Sequence, residues 1–156
     1  MIVAIDLSED GGRVIALVGA REHVLKRGGF SAIAATLKHY REVHSKRKHS
    51  YIKAFPRRYL RLYKHIDVAR IYVYTPEALK EINTLLRKLK PALVIVDDKL
   101  YDQVNYLEKR KRREGRAKRK HEEYLKKLAD NLANYFRLLL RENPRKFNEE
   151  LKKFEK

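Results

Sequence analysis

Three places in this chain set carboxylates where chemistry is conceivable. Residues 2–7 (IVAIDL) carry Asp6 near the end of an apolar run, and residues 91–98 (PALVIVDD) end in Asp97 and Asp98. Asp130 is the one acid between Tyr124 and Arg141, in a helical pattern beside Ala129 and Ala133. Carboxylates are hard oxygen ligands, and two Mg²⁺ or Mn²⁺ ions held about 4 Å apart by such ligands hydrolyse phosphodiesters. Each acid also has a plainer reading. Asp6 suits a hairpin turn, Asp97 or Asp98 an N-cap for a helix starting near Leu100, and Asp130 a helix edge near Lys126, Lys127 and Asn134. Asp130 on this mostly apolar stretch calls for a partner, because a buried carboxylate without one costs several kcal/mol.

The elements that must position these acids follow from pattern. Strands are expected at 2–7 and 13–18, joined by the turn residues SEDGG at 8–12. A third strand at 22–26 completes an antiparallel meander. Gly28 and Gly29 break the chain, and Ser31 caps a helix running to about His44 with Ile33, Leu37 and Tyr40 on one face. Residues 69–74 (ARIYVY) form a strand, and Thr75-Pro76-Glu77 opens a helix with a capping hydroxyl, Pro in the first turn and an acid at the positive end. Pro91 stops that helix, and 93–96 is the next strand. Strand, helix, strand with short links reads as a parallel pair with a right-handed crossover. Residues 122–141 are apolar over so wide an arc that this helix belongs in a core. The expected organisation is one domain over 1–142, with a basic insertion at 44–65, a basic loop or helix start at 99–121, and a charged helical tail at 143–156.

Charge names the partner. With 38 Lys+Arg against 20 Asp+Glu, the chain carries +18 and a pI near 10.1, which points to a polyanion. Residues 44–65 hold eight cations and no acid, interleaved with Tyr51, Phe55, Tyr59 and Tyr63. Unpaired cations seek phosphates, and rings can stack on unpaired bases. Lys46, Arg47, Lys48, Tyr51, Lys53, Arg57, Arg58 and Arg61 are therefore nucleic-acid contacts on this reading, against a short helix packed by its rings with solvated arginines. The run KRKRREGRAKRK adds Lys109, Arg110, Lys111, Arg112, Arg113, Arg116, Lys118, Arg119 and Lys120, the other reading being a solvated arm. Such contacts position a backbone without reading its sequence. No apolar run is long enough to span a bilayer and no signal peptide precedes Ile2, so a cytoplasmic protein without a membrane partner is expected. The absence of Cys excludes thiolate chemistry and a Cys-rich zinc site, and 37% charged residues suit a thermophile. The acidic strand end is also found in P-loop ATPases, but no GxxxxGK[ST] accompanies it.

If the meander is joined by two parallel strands beside the first, the strand order is 3-2-1-4-5. That order resembles the RNase H-like superfamily, an α/β fold with a mixed five-stranded sheet flanked by helices and a long C-terminal helix. Asp97-Asp98-Lys99-Leu100 resembles the D-E-R-L segment of the Holliday-junction-resolvase-like branch, whose bacterial members process precursor 16S ribosomal RNA. Leu128–Ala133 resembles its D-S-L-A-A helix, and Ile5-Asp6-Leu7-Ser8 its opening G-[LI]-D-x-G, with Ser8 in place of Gly. The resemblance implies a metal-dependent nuclease acting on structured DNA or RNA. Asp6, Asp97 and Asp130 would be catalytic metal ligands for Mg²⁺ or Mn²⁺, with Asp6 bridging. Asp98 is the less favoured neighbour, since consecutive strand residues face opposite ways. Glu9, Glu77 and Glu123 are candidate supplements. Resolvases work as dimers, which implies a homodimer. The competing reading is a non-catalytic, basic nucleic-acid-binding protein that keeps the fold.

Overall fold

The computed structural model describes residues 1–117 and 119–156. Its centre is β1 (Ile2–Ser8), in which all seven residues are buried. Alternation splits its side chains between two layers. Ile2 and Ala4 join one core with Leu125, Leu128 and Leu132, whereas Val3, Ile5 and Leu7 join another with Ile82 and Leu86. A strand covered on both faces has no solvated side, which explains its nearly unbroken apolar run.

β2 (Val14–Ala20) returns antiparallel to β1, with Asp6 opposite Ala16. The intervening turn places Gly11 at φ +72°, where a side chain would be strained. The expected third strand at 22–26 is instead a helical turn, α1 (Glu22–Leu25), followed by α2 (Gly28–Ala34). The reason lies in the sheet: the free edge of β2 is taken by β3 (Val68–Val73), paired antiparallel to it, so residues 22–26 have no edge to join. Val24 and Leu25 are both buried, which consecutive residues of a one-sided strand cannot be. The expected helix from Ser31 to His44 begins earlier, at Gly28, and ends at Ala34.

α3 (Lys48–Tyr63) is the basic, aromatic stretch. Two of its rings are core, Phe55 and Tyr59 being fully buried with Tyr59 stacked on Phe154 at 4.5 Å between centroids, while Tyr51 and Tyr63 are half-buried. Phe55 is therefore closed to any base. α4 (Pro76–Leu89) starts as the sequence requires, with Thr75 Oγ1 accepting from the Ala78 N–H at 3.0 Å, and ends on Lys90 in the left-handed region at φ 48°.

β4 (Leu93–Val96) pairs parallel with β1 and so lies fourth, next to the centre, rather than at the edge. The fifth strand is β5 (Lys111–Arg113), parallel to β4 and drawn from the basic run expected to be a loop or helix start. The order is thus β3-β2-β1-β4-β5, the expected 3-2-1-4-5, filled by different segments at the third, fourth and fifth places.

α5 (Lys120–Glu142) crosses one face of this sheet, with Leu125, Leu128, Leu132 and Phe136 fully buried. α6 (Pro144–Phe154) follows directly, capped by Asn143 accepting from the Lys146 N–H at 3.2 Å. The C-terminal segment is more than a charged tail. Phe147 and Phe154 are buried, and the backbones of Lys156 and Ala69 exchange two 3.0 Å hydrogen bonds. Among the described residues, no helix is long and apolar enough to cross a membrane.

Candidate metal centre

The two parallel central strands end side by side, and both ends carry acid. Ile5 pairs with Val96, and the Asp97 N–H donates to the Ile5 carbonyl at 2.9 Å, which brings Asp97 level with Asp6. Both continue the alternation that puts Ala4 and Ile95 on the α5 side. Asp97 is locked in place: Oδ2 accepts from the Leu7 N–H at 3.1 Å and Oδ1 from the Lys99 N–H at 2.9 Å. Asp98, one residue on, has a side chain 57% exposed and lies 3.8 Å from Arg113. Asp97 is accordingly the inward member of the pair.

The third carboxylate comes from an unexpected place. Glu114, directly after β5, brings an oxygen within 4.8 Å of those of Asp6 and Asp97. In the sequence it is hidden in a basic run, although it is the sole acid in KRKRREGRAKRK and precedes a Gly. An acid kept among so many cations was the available signal. Lys126 on α5 fixes the turn, its ammonium donating to the Glu114 carbonyl at 2.8 Å and to Glu123 Oε1 at 3.2 Å.

Asp130 faces the same cavity, of about 700 Å³, but stands outside that trio. Its Oδ2 accepts from the Tyr40 N–H at 2.7 Å, and Asn134 donates to its Oδ1 at 3.3 Å. His39 Nδ1 lies 4.0 Å from it. Part of Asp130 is therefore engaged in holding the 39–41 segment over the site. Of the supplements, Glu9 lines the cavity paired with Lys99 at 2.8 Å, Glu123 pairs with Lys126, and Glu77 is exposed at the start of α4.

The electrostatics ask for a cation. Two ionised carboxylates 4.8 Å apart repel by roughly 3 kcal/mol at an effective dielectric of about 20. Among the described residues, no Lys, Arg or His forms an ion pair with Asp6, Asp97 or Glu114. Burial, then the charges of Asp130, Asp97 and Glu114, push the Asp6 carboxyl well above its ordinary 3.8. Burial and the Asp97 charge raise Glu114 as well. Asp130 is raised by burial, with the Tyr40 N–H opposing. A donor set of hard, crowded oxygens without a direct ion pair among the described residues fits a divalent ion such as Mg²⁺ or Mn²⁺.

Behind the carboxylates lies a buried cation. Arg137, 2% exposed, donates to Ser8 Oγ at 2.6 Å, to Asn134 Oδ1 at 3.2 Å and to the Asp10 carbonyl. Ser8 in turn donates to Asn134 Oδ1 at 2.9 Å. This network ties the end of β1 to α5, and nothing in the spacing of Ser8 and Arg137 announced it.

The expected nucleic-acid contacts divide. Lys46, Arg47, Lys53, Arg57 and Arg61 are exposed, while Lys48 and Arg58 are half-buried. Lys48 sits over the Tyr40 ring at 4.9 Å and lines the carboxylate cavity. Lys109, Arg110, Arg116 and Lys120 are exposed. Lys111 is turned inward, its ammonium donating to the Tyr101 and Val104 carbonyls at 3.0 and 3.1 Å, so it offers no charge to a strand. Arg112 pairs with Glu122 at 2.8 Å, and Arg119 with Glu22 at 3.5 Å. Arg113 packs on Tyr101 besides reaching Asp98. Lys118 lies outside the described residues.

No family model matches the chain, and no curated protein matches it either. Among solved structures it is similar to the ribonuclease H2 from Pyrococcus horikoshii OT3, with a TM-score of 0.54 and 15% identity. The match covers 97% of this chain and 75% of that one. Together with the strand order, this likeness shows the architecture: an RNase H-like mixed five-stranded sheet with flanking helices and a long helix toward the C-terminus.

Proposed function

We propose that this chain is a divalent-metal-dependent nuclease acting on structured DNA or RNA. The observation that carries the reading is the convergence of Asp6, Asp97 and Glu114 within 4.8 Å at adjacent strand ends, uncompensated by any side-chain ion pair among the described residues. These three would hold Mg²⁺ or Mn²⁺, with Asp130 beside them. The chemistry a bound divalent ion supplies is activation of water at neutral pH and stabilisation of the oxygen leaving phosphorus.

The chain's own groups prepare that chemistry. The Leu7 and Lys99 amides hold Asp97 in one orientation, and Lys126 holds the Glu114 turn. Arg41, Lys48 and Lys99 border the same cavity and draw in a phosphate backbone. Support for a nucleic-acid substrate comes from the net charge of +18 and from the similar structure being a ribonuclease. The finer reading, a resolvase-like or RNA-processing enzyme, draws on Asp97–Leu100 and Leu128–Ala133, since Asp97, Asp98, Lys99 and Asp130 all line the cavity.

The test is incubation of the purified chain with branched DNA, hairpin RNA and an RNA–DNA duplex, with Mg²⁺, Mn²⁺ or EDTA. Metal-dependent cuts that vanish in Asp6→Asn are expected. If neither protein cuts, or both cut equally, the nuclease reading is wrong.

A further inference from the structure

A second cavity, of about 720 Å³, is lined by residues of the 36–47 segment and of α3. Lys38, Lys46, Arg47 and Arg58 line it against a single acid, Glu42. The two cavities share one rib of chain: His39, Tyr40 and Arg41 border the carboxylates, while Lys38 and residues 42–44 border the basic cleft.

Arg58 is the cation of this cleft whose surroundings are most closely defined. Its guanidinium carbon lies 5.3 Å from the centre of the Tyr51 ring. Tyr51 is itself fixed at both ends of its hydroxyl, donating to the Lys38 carbonyl at 3.1 Å and accepting from the Lys38 N–H at 2.9 Å. Arg58 Nη1 is shielded from solvent yet finds no hydrogen-bond partner among the described residues. Buried donors are nearly always satisfied, and Arg58 already lines a cleft of four cations, so an acceptor brought into the cleft would meet a guanidinium with unspent donor capacity. A guanidinium carries its donors in a planar fork, which suits the paired oxygens of a phosphate.

We propose that this cleft is a phosphate subsite, in which Arg58, with Lys38, Lys46 and Arg47 around it, grips one phosphodiester of a nucleic-acid strand as the strand passes over the 39–44 rib from the carboxylates. The assignment rests on the nuclease reading only for where the strand goes next. The substrate it implies is a strand that continues beyond the cut, so a backbone contact remote from the metal centre contributes to binding.

The experiment measures binding without cleavage. Full-length Asp6→Asn in EDTA is titrated into fluorescein-labelled hairpin RNA and branched DNA across a salt series, and anisotropy gives log Kd against log salt. Adding Arg58→Gln should reduce the magnitude of the slope by about 0.7 to 0.9, the loss of one phosphate contact. Lys152→Gln, which removes an exposed charge on α6, should leave it unmoved. An unchanged slope in Arg58→Gln, or an equal drop in Lys152→Gln, overturns the proposal. Competition by polyglutamate as strong as by polynucleotide also overturns it, since the cleft would then take any acidic chain. Should Arg58→Gln fail to fold by circular dichroism, Arg47→Gln on the cleft rim carries the same expectation and the same refutation. A wild type that cuts nothing, with an Arg58-dependent slope, sinks the nuclease reading and supports the subsite; metal-dependent cutting with an Arg58-independent slope does the reverse.

Discussion

The Leu7 amide donates to Asp97 across 90 residues of sequence, at 3.1 Å, and this bond, with that from the Lys99 amide, ties the carboxylate just beyond β4 to the strand that carries Asp6. The ladder stops at the point where the acids begin, so amides freed by the end of pairing serve the site.

Removing the central ligand should separate activity from stability. Asp6→Asn is expected to lower metal-dependent cleavage by more than about a hundredfold, since changes merely behind the ligands cost about 10- to 100-fold. The metal-free fold should become more stable, because the substitution relieves like-charge crowding. Cleavage assays and thermal unfolding in EDTA check the two halves.

The pH dependence follows in sign. Asp6 titrates well above 3.8 in the folded chain, so the folded state holds its proton more tightly than the unfolded one. Stability from this group is present below its unfolded value and is lost as pH rises through its folded value. In EDTA, the Tm advantage of Asp6→Asn over the wild type should therefore be largest at neutral pH and shrink on acidification. An advantage that is constant with pH would contradict the assignment.

Metal should stabilise the fold. At a concentration 100 times its Kd, Mg²⁺ or Mn²⁺ should add about 2.7 kcal/mol, or roughly 2 to 4 °C in Tm for each kcal/mol. The shift should be absent in Asp6→Asn and small in Glu114→Gln. Calorimetric scans with and without metal measure it.

Lys126 positions Glu114 without joining the ligands. Lys126→Met should weaken Mn²⁺ affinity about tenfold while keeping the circular dichroism of the wild type. Isothermal titration reads the affinity, and equal affinity in the two proteins would rule out this positioning role.

How legible was this molecule in its sequence? β1, β2 and α4 follow from short apolar runs, turn residues and caps, all encoded within a few neighbouring residues. The strand at β3 is equally legible but its place beside β2 is not, and β5 is not legible at all, because what makes a segment the edge of a sheet is which edges others leave free. Residues 22–26 look like a strand until β3 occupies β2, and 111–113 look like solvated charge until β4 offers them an edge. The site divides on the same line. Asp6 and Asp97 sit at strand ends that pattern can locate, and the structure brings them together. Asp130 reached the cavity but is partly engaged by the Tyr40 amide, whereas Glu114 arrived by a pairing that no local signal encodes.

The core has its own test. Phe154 stacks on Tyr59 at 4.5 Å and on Tyr135 at 5.4 Å. Phe154→Ala should cost about 3–5 kcal/mol, read by denaturant unfolding, with m unchanged.

Glu114 rides on an edge strand of three residues, and that makes the site's affinity a compound quantity. A cation meets a full ligand set only in molecules whose edge is docked, so its apparent affinity is the intrinsic one multiplied by the docked fraction. Any change that loosens Lys111 or Arg112 is thereby paid in metal, and chelation strength becomes a gauge of how firmly the sheet's margin is closed.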